Sequence, residues 1–317
     1  MATDLIRLKE FSNYRSELMG VAIIMIMASH TLGGFATYGI IGVEWFLILS
    51  AIGQWYSLEK DYNVIRYYKR RLIRIVPAYL IVSIPIFIIR FPSIRIQVFF
   101  LKLSGLNFFI NGDKSFWFVY LIIVCYLITP FYFLFVKSHR YSYITPFVLV
   151  LITFIASFFF PKTEILYTRI PVFLLGMNLA RNVYEEKIIS DRRTVKICQV
   201  GSLIAVLLLL IIYLDIVRIE VVRLVYFLCG IPSLLFVLSF LKRFPFFNRF
   251  LSFMGMLSYE LYLIHQPVAL YYCRRLPLPE AFKIILSYIV ALILAYILHS
   301  IIGLFRNMLQ NSSQHSI

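Results

Sequence analysis

The feature that most restricts this chain is the recurrence of apolar stretches long enough to cross a bilayer, separated by short polar connections. A span needs about 20 mostly apolar residues. Ten stretches meet or approach that length: 18–38, 39–57, 75–91, 116–136, 143–160, 167–182, 197–217, 222–241, 256–273 and 282–305. The second, third and sixth are short or interrupted by polar residues. Runs such as Val200–Leu214 are apolar without alternation, whereas a membrane barrel alternates in segments of about 10 residues. In lipid a helix satisfies its own backbone hydrogen bonds. The expected fold class is therefore an all-α integral membrane protein, a bundle of about ten transmembrane helices. No connection is long enough to hold a soluble domain, so residues 1–317 read as a single transmembrane domain.

Composition agrees. The chain is 61% hydrophobic and 15% charged, where soluble domains are about 45–50% apolar and about 25% charged. A water-soluble globule and a disordered chain are both excluded. Lysine and arginine outnumber acids, 31 to 15, for a net charge of +16. In a soluble protein that excess would point to nucleic acid. Here the segments before the first span and after each even-numbered span hold nineteen of the 31 basic residues, and Arg181 at the end of the sixth span makes twenty. Basic residues accumulate in cytoplasmic loops, so both termini are expected in the cytoplasm and no nucleic-acid partner is needed. The longest external stretch, 92–115, contains an amphipathic segment (Ile94–Ile110) expected to lie at the membrane surface. The four cysteines have neither metal-ligand nor disulfide-scaffold spacing, and no metal site is expected. The polar lead of 17 residues, followed by two apolar runs in close succession, does not read as a cleaved signal peptide.

An ionisable group at membrane depth costs at least about 2.5–3.5 kcal/mol, so each one is a functional candidate. His30 lies twelve residues past Leu18, about 18 Å into a core of about 30 Å. Its imidazole can take a proton or act as a nucleophile near neutral pH. Glu44 enters the second span from the same outer side, where a carboxylate can orient an imidazole. Arg66–Arg74 reads as a basic loop leading into the third span. Within it Arg70 and Arg74 share a helical face at i, i+4, beside Arg71, an arrangement suited to phosphates. In the ninth span Ser258, Tyr262 and His265 form one stripe too polar for lipid. Trp117, Arg169 and Asn178 are weaker signals. On residues alone, each of these also fits helix–helix hydrogen bonding, interfacial anchoring or positive-inside charge.

Several of these segments together resemble the acyltransferase 3 family of integral-membrane acyltransferases, which includes bacterial glycan O-acetyltransferases. Glu17–Ala22 followed by His30 resembles the family's first span. Gly42-Val43-Glu44-Trp45-Phe46 is similar to its second, and Arg70–Tyr79 to its basic turn into the third. Phe116–Val119 resembles the fourth, Pro171–Met177 the sixth and Ser258–Pro267 the ninth. The resemblance implies His30 as the catalytic histidine, with Glu44 orienting or stabilising it. It also implies Arg70, Arg71 and Arg74 facing the phosphates of coenzyme A. The family's arginine eleven residues before the histidine is Met19 here. Arg15, one turn earlier and about 60° from the His30 direction, is the candidate to replace it in donor binding. Glu44 stands where the family more usually has aspartate.

The expected activity is transfer of acetyl from acetyl-CoA, a substrate rather than a bound cofactor, to a hydroxyl of a cell-envelope or exported polysaccharide. Trp117, Tyr259, Tyr262 and His265 are expected along the acceptor path. The expected location is the bacterial cytoplasmic membrane, multi-pass, in contact with membrane lipid. Serine-hydrolase, nucleotide-binding and zinc-protease motifs are absent. The rival reading is a transporter or lipid-linked-sugar flippase, which internal repeats would favour; the chain shows none.

Overall fold

The computed structural model describes residues 6–33, 39–189, 200–201 and 219–314. Helix dominates. In chain order the helices are α1 (Glu10–Asn13), α2 (Arg15–Thr31), α3 (Ile41–Lys60), α4 (Val64–Arg90), α5 (Ile96–Leu103), α6 (Leu106–Asn111), α7 (Trp117–Ser138), α8 (Ile144–Phe159), α9 (Glu164–Tyr167), α10 (Ile170–Tyr184), α11 (Ile219–Arg243), α12 (Asn248–Met256), α13 (Ser258–Ile264), α14 (Tyr271–Cys273) and α15 (Glu280–Gln314). A π-helical turn, His265–Leu270, joins α13 to α14. Two-residue strands β1 (Ile6–Arg7) and β2 (Ile188–Ile189) pair antiparallel.

Among the described residues, four stretches are long and apolar enough to cross a membrane: Val64–Arg90, Trp117–Ser138, Val222–Arg243 and Glu280–Met308. The shorter α8 is also apolar, and Leu151, Ile155 and Phe158 on it are at least half exposed. Bare aliphatic and aromatic surface on this scale is what lipid-facing helices present. The expected span 197–217 lies outside the described residues except for Val200 and Gly201, both helical.

Three elements differ from the sequence expectation. The basic run Arg66–Arg74 is not a loop; α4 begins at Val64 and carries it. Arginine, lysine and leucine are good helix formers, and no breaker precedes Pro77. In contrast, α2 stops early, at Thr31. The Thr31 hydroxyl donates back to the Met27 and Ala28 carbonyls, and Leu32 leaves the helix in an extended conformation. The ninth span is not one uniform helix either. It breaks at Leu257 and widens into the π-turn, which contains Pro267. Proline has no N–H and crowds the carbonyl four residues back; a wider turn relieves both.

The chain divides into two compact units, Met1–Val64 with Tyr120–Met256 and Ile65–Val119 with Leu257–Ile317. In the first, α3 is the centre. It packs against α2, α10 and α11 and buries fifteen residues, among them Trp45, Leu49 and Trp55. Helix α12 crosses α2 at very close range. A Cβ on Gly20 would collide with the Leu251 carbonyl, and one on Gly255 with the Ser16 carbonyl. Small residues permit such backbone approach between membrane helices. Asn178 on α10 ties three segments together. It donates to the Tyr132 hydroxyl (2.8 Å) and accepts from the Ser142 hydroxyl (2.8 Å), the helix–helix role open to it from sequence. At the end of the unit where α3 terminates, cations meet acids: Lys9 with Glu186, Lys137 with Glu59 (3.1 Å), Lys242 with Glu10 (2.9 Å), and Arg181 and Lys187 with Glu185 (2.9 and 2.8 Å). Hydrogen bonds from Lys187 and Arg181 hold the Glu185 carboxyl below its usual range.

In the second unit α15 packs on α13 and the π-turn, and α5 packs on α6. Glycines at positive φ, Gly105 and Gly112, flank α6. The turn after α6 is closed by Asp113, which accepts from Lys102, from Asn107 (2.8 Å) and from the Ser115 N–H (3.0 Å). Burial alone would raise the Asp113 pKa, but bonds from Lys102, Ser115 and Asn107 outweigh it and bring it to about 2. A depressed carboxylate stabilises the fold above its unfolded pKa and stops doing so as pH falls through the folded value. Protection of the 104–116 amides from hydrogen exchange should therefore hold from pH 7 to 4 and fall near pH 2. In Asp113→Asn it should already be low at pH 7.

Candidate active site

Helices α2 and α3 run antiparallel. Gly42 sits on the Ala22 carbonyl, and Gly53 lies under the Arg15 guanidinium, 2.8 Å from where a Cβ would be. Arg15 is anchored there, its Nε donating to the Leu49 carbonyl at 2.8 Å. Met19, at the position of the family's arginine, is buried. His30 is in the last turn of α2, half-buried.

Glu44 has another partner. Its carboxylate is 1% exposed and pairs with Arg169, 2% exposed, at 3.3 Å. Arg169 immediately precedes α10, and Pro171 in the first turn of that helix sets its direction. A second pair lies in the same unit: Arg223 on α11 binds Glu164 on α9 through both carboxylate oxygens, at 3.2 and 3.3 Å. Arg223 also acts electrostatically on Glu44. Two acids and two arginines thus form a neutral set within apolar helices. Beside it, Trp45 Nε1 donates to Ser233 Oγ at 2.9 Å, and Ser233 donates to the Cys229 carbonyl. Buried pairs of this kind contribute little net stability, but breaking one strands a charge.

In the second unit Arg70, Arg71 and Arg74 all lie on α4. Arg70 is exposed, while Arg71 and Arg74 are half-buried. The Arg71 guanidinium covers the Tyr67 ring at 5.4 Å. Tyr259 donates to the Ile75 carbonyl at 2.9 Å, fixing α13 against α4 just past the basic turns. Tyr262 accepts from the Phe118 N–H at 3.2 Å. That N–H is among the first four of α7, which have no partner within the helix. Tyr262 therefore caps α7, and its ring packs on Phe118 with centroids 5.1 Å apart. Trp117, on the same turn, is half-buried and edge-on to Phe118. Phe116, one residue earlier, is held at φ 55° between Tyr79 and Phe87, a conformation that costs a non-glycine residue about 1–3 kcal/mol. His265 is buried, and its Nδ1 lies 2.9 Å from the Leu261 carbonyl and 3.1 Å from that of Tyr262. The proton is therefore on Nδ1, and Nε2 is the acceptor.

Within the first unit His30, Glu44 and Arg15 share the α2–α3 pair. Within the second, Arg70, Arg71 and Arg74 share α4, while Tyr259, Tyr262 and His265 share the α13 segment. Arg169 is only a weak signal in the sequence, and neither Arg223 nor Glu164 stands out there as a site residue. The available clue is a charge of each sign close to the apolar runs at 167–182 and 222–241.

A family model described as an acyltransferase domain matches residues 18–301. The chain belongs to the acyltransferase 3 family. The matched segment includes every candidate residue named above except Arg15. This acyltransferase is accordingly a multi-pass membrane protein, with no metal-ligand cluster among the described residues. No curated protein and no solved structure matches the chain.

Proposed function

We propose that this acyltransferase moves acetyl from acetyl-CoA to a hydroxyl of a cell-envelope or exported polysaccharide, within a bundle of about ten helices whose termini are both cytoplasmic. The observation that carries the reading is the family match across residues 18–301, which spans His30, Glu44 and the α4 arginines in one acyltransferase domain.

In this mechanism Arg70, Arg71 and Arg74 hold the phosphates of the donor through guanidinium forks, with Arg15 assisting. His30 takes the proton from the sugar hydroxyl as its oxygen attacks the thioester carbonyl. The carbon–sulfur bond breaks, the acetyl passes to the sugar oxygen, and the imidazolium returns the proton to the departing thiolate. Glu44, paired with Arg169, orients or stabilises the imidazolium. Trp117, Tyr259, Tyr262 and His265 bound the acceptor path. The enzyme works in the bacterial cytoplasmic membrane.

The test is mass analysis of surface glycans from cells with and without this protein, paired with labelled acetyl-CoA supplied to their membranes. Acetyl esters that appear only with the protein, and carry the label, support the reading. Identical glycans in both cells would overturn it.

A further inference from the structure

Arg90 is the last residue of α4, and Arg275 follows α14 by two residues. Both guanidinium groups stand 3.5 Å from the centroid of one ring, that of Tyr271. Two groups that close to a single centroid cannot share a face, so they cover opposite faces, roughly 7 Å apart, each drawn by the negative π-cloud. The stack is further fixed by backbone. Arg90 Nη2 donates to the Pro267 carbonyl inside the π-turn, and Arg275 Nη1 donates to the Tyr271 carbonyl at 2.7 Å.

The two cations repel one another, and among the described residues neither forms an ion pair with a carboxylate. Each has used only part of its five-donor fork, and Arg90 Nε is buried without a hydrogen-bond partner. An anion at the rim of the Tyr271 ring would receive N–H groups from both sides. A tetrahedral phosphate suits that geometry, because guanidinium forks pair with its oxygens two at a time. The surroundings say what the phosphate is attached to. Ile88, Ile89 and Phe91 beside Arg90, and Tyr272, Leu276 and Leu278 beside Arg275, are all exposed by 40% or more. A free ion has no use for an apolar collar, whereas a lipid places acyl chains against it and a charged head group above it.

We propose that the Arg90–Tyr271–Arg275 stack is a binding site for the phosphate of an anionic lipid head group. The test of this site needs no activity.

Purified full-length protein is exchanged into micelles carrying either phosphatidylglycerol or phosphatidylcholine, and lipid retained after delipidation is counted by native mass spectrometry. The unaltered protein should keep phosphatidylglycerol in preference. Arg275→Gln, an exposed change, should lower that retention at least fivefold with helix content unchanged, while Arg249→Gln, equally exposed and basic, should keep it. Equal retention by Arg275→Gln and the unaltered protein would overturn the proposal. So would displacement of the lipid by millimolar inorganic phosphate, which would assign the stack to a free anion.

Discussion

His30→Ala should lower acetyl transfer by about 10²–10⁴-fold, the range a positioned general base contributes, while the protein still inserts and purifies as before. His30 lies half-buried in the last turn of α2, so its truncation removes no core packing comparable to that around α3. The measurement is acetyl-CoA-dependent labelling of membranes, normalised to protein level. Unchanged labelling would remove His30 from the chemistry.

Arg169→Met should be the most damaging single change to stability. It leaves the Glu44 carboxylate, 1% exposed, without its 3.3 Å partner, and breaking a buried pair on one side costs about 3–5 kcal/mol. Such a loss is a large part of a domain's total margin, so the folded fraction in a size-exclusion profile should collapse. Combining it with Glu44→Leu should recover most of the folded protein, since replacing both charges by apolar groups is often neutral or better. Recovery of fold without recovery of acetyl transfer would separate the carboxylate's field from its structural role. A double variant no more stable than the single one would show that the two residues are not coupled.

What could be read in advance follows from which forces are local. Helical character and lipid-facing surface follow from run length and hydropathy, and four helices long and apolar enough to cross a membrane are present among the described residues. The errors arise where two local rules compete. The run Arg66–Arg74 was read as a loop because its charge marks a cytoplasmic connection, yet the same residues favour helix and nothing interrupts them before Pro77. The polar stripe of span nine was visible, but not that Tyr262 spends its hydroxyl on the orphan N–H of Phe118. Partners across helices are tertiary facts. No spacing rule joins Glu44 to Arg169, or Glu260 on α13 to His299 on α15, which meet at 3.1 Å.

The wide turn at His265–Leu270 has a consequence for how this segment tolerates length changes. Such a turn accommodates one residue more than the α-helical repeat. Deleting a single residue there would return the helix to ordinary winding and leave what lies beyond it in place, because the surplus residue is absorbed within the one wide turn. Tyr271 would stay between its two arginines. The aromatic platform therefore depends on the residues that hold the ring and not on the surplus residue in the backbone.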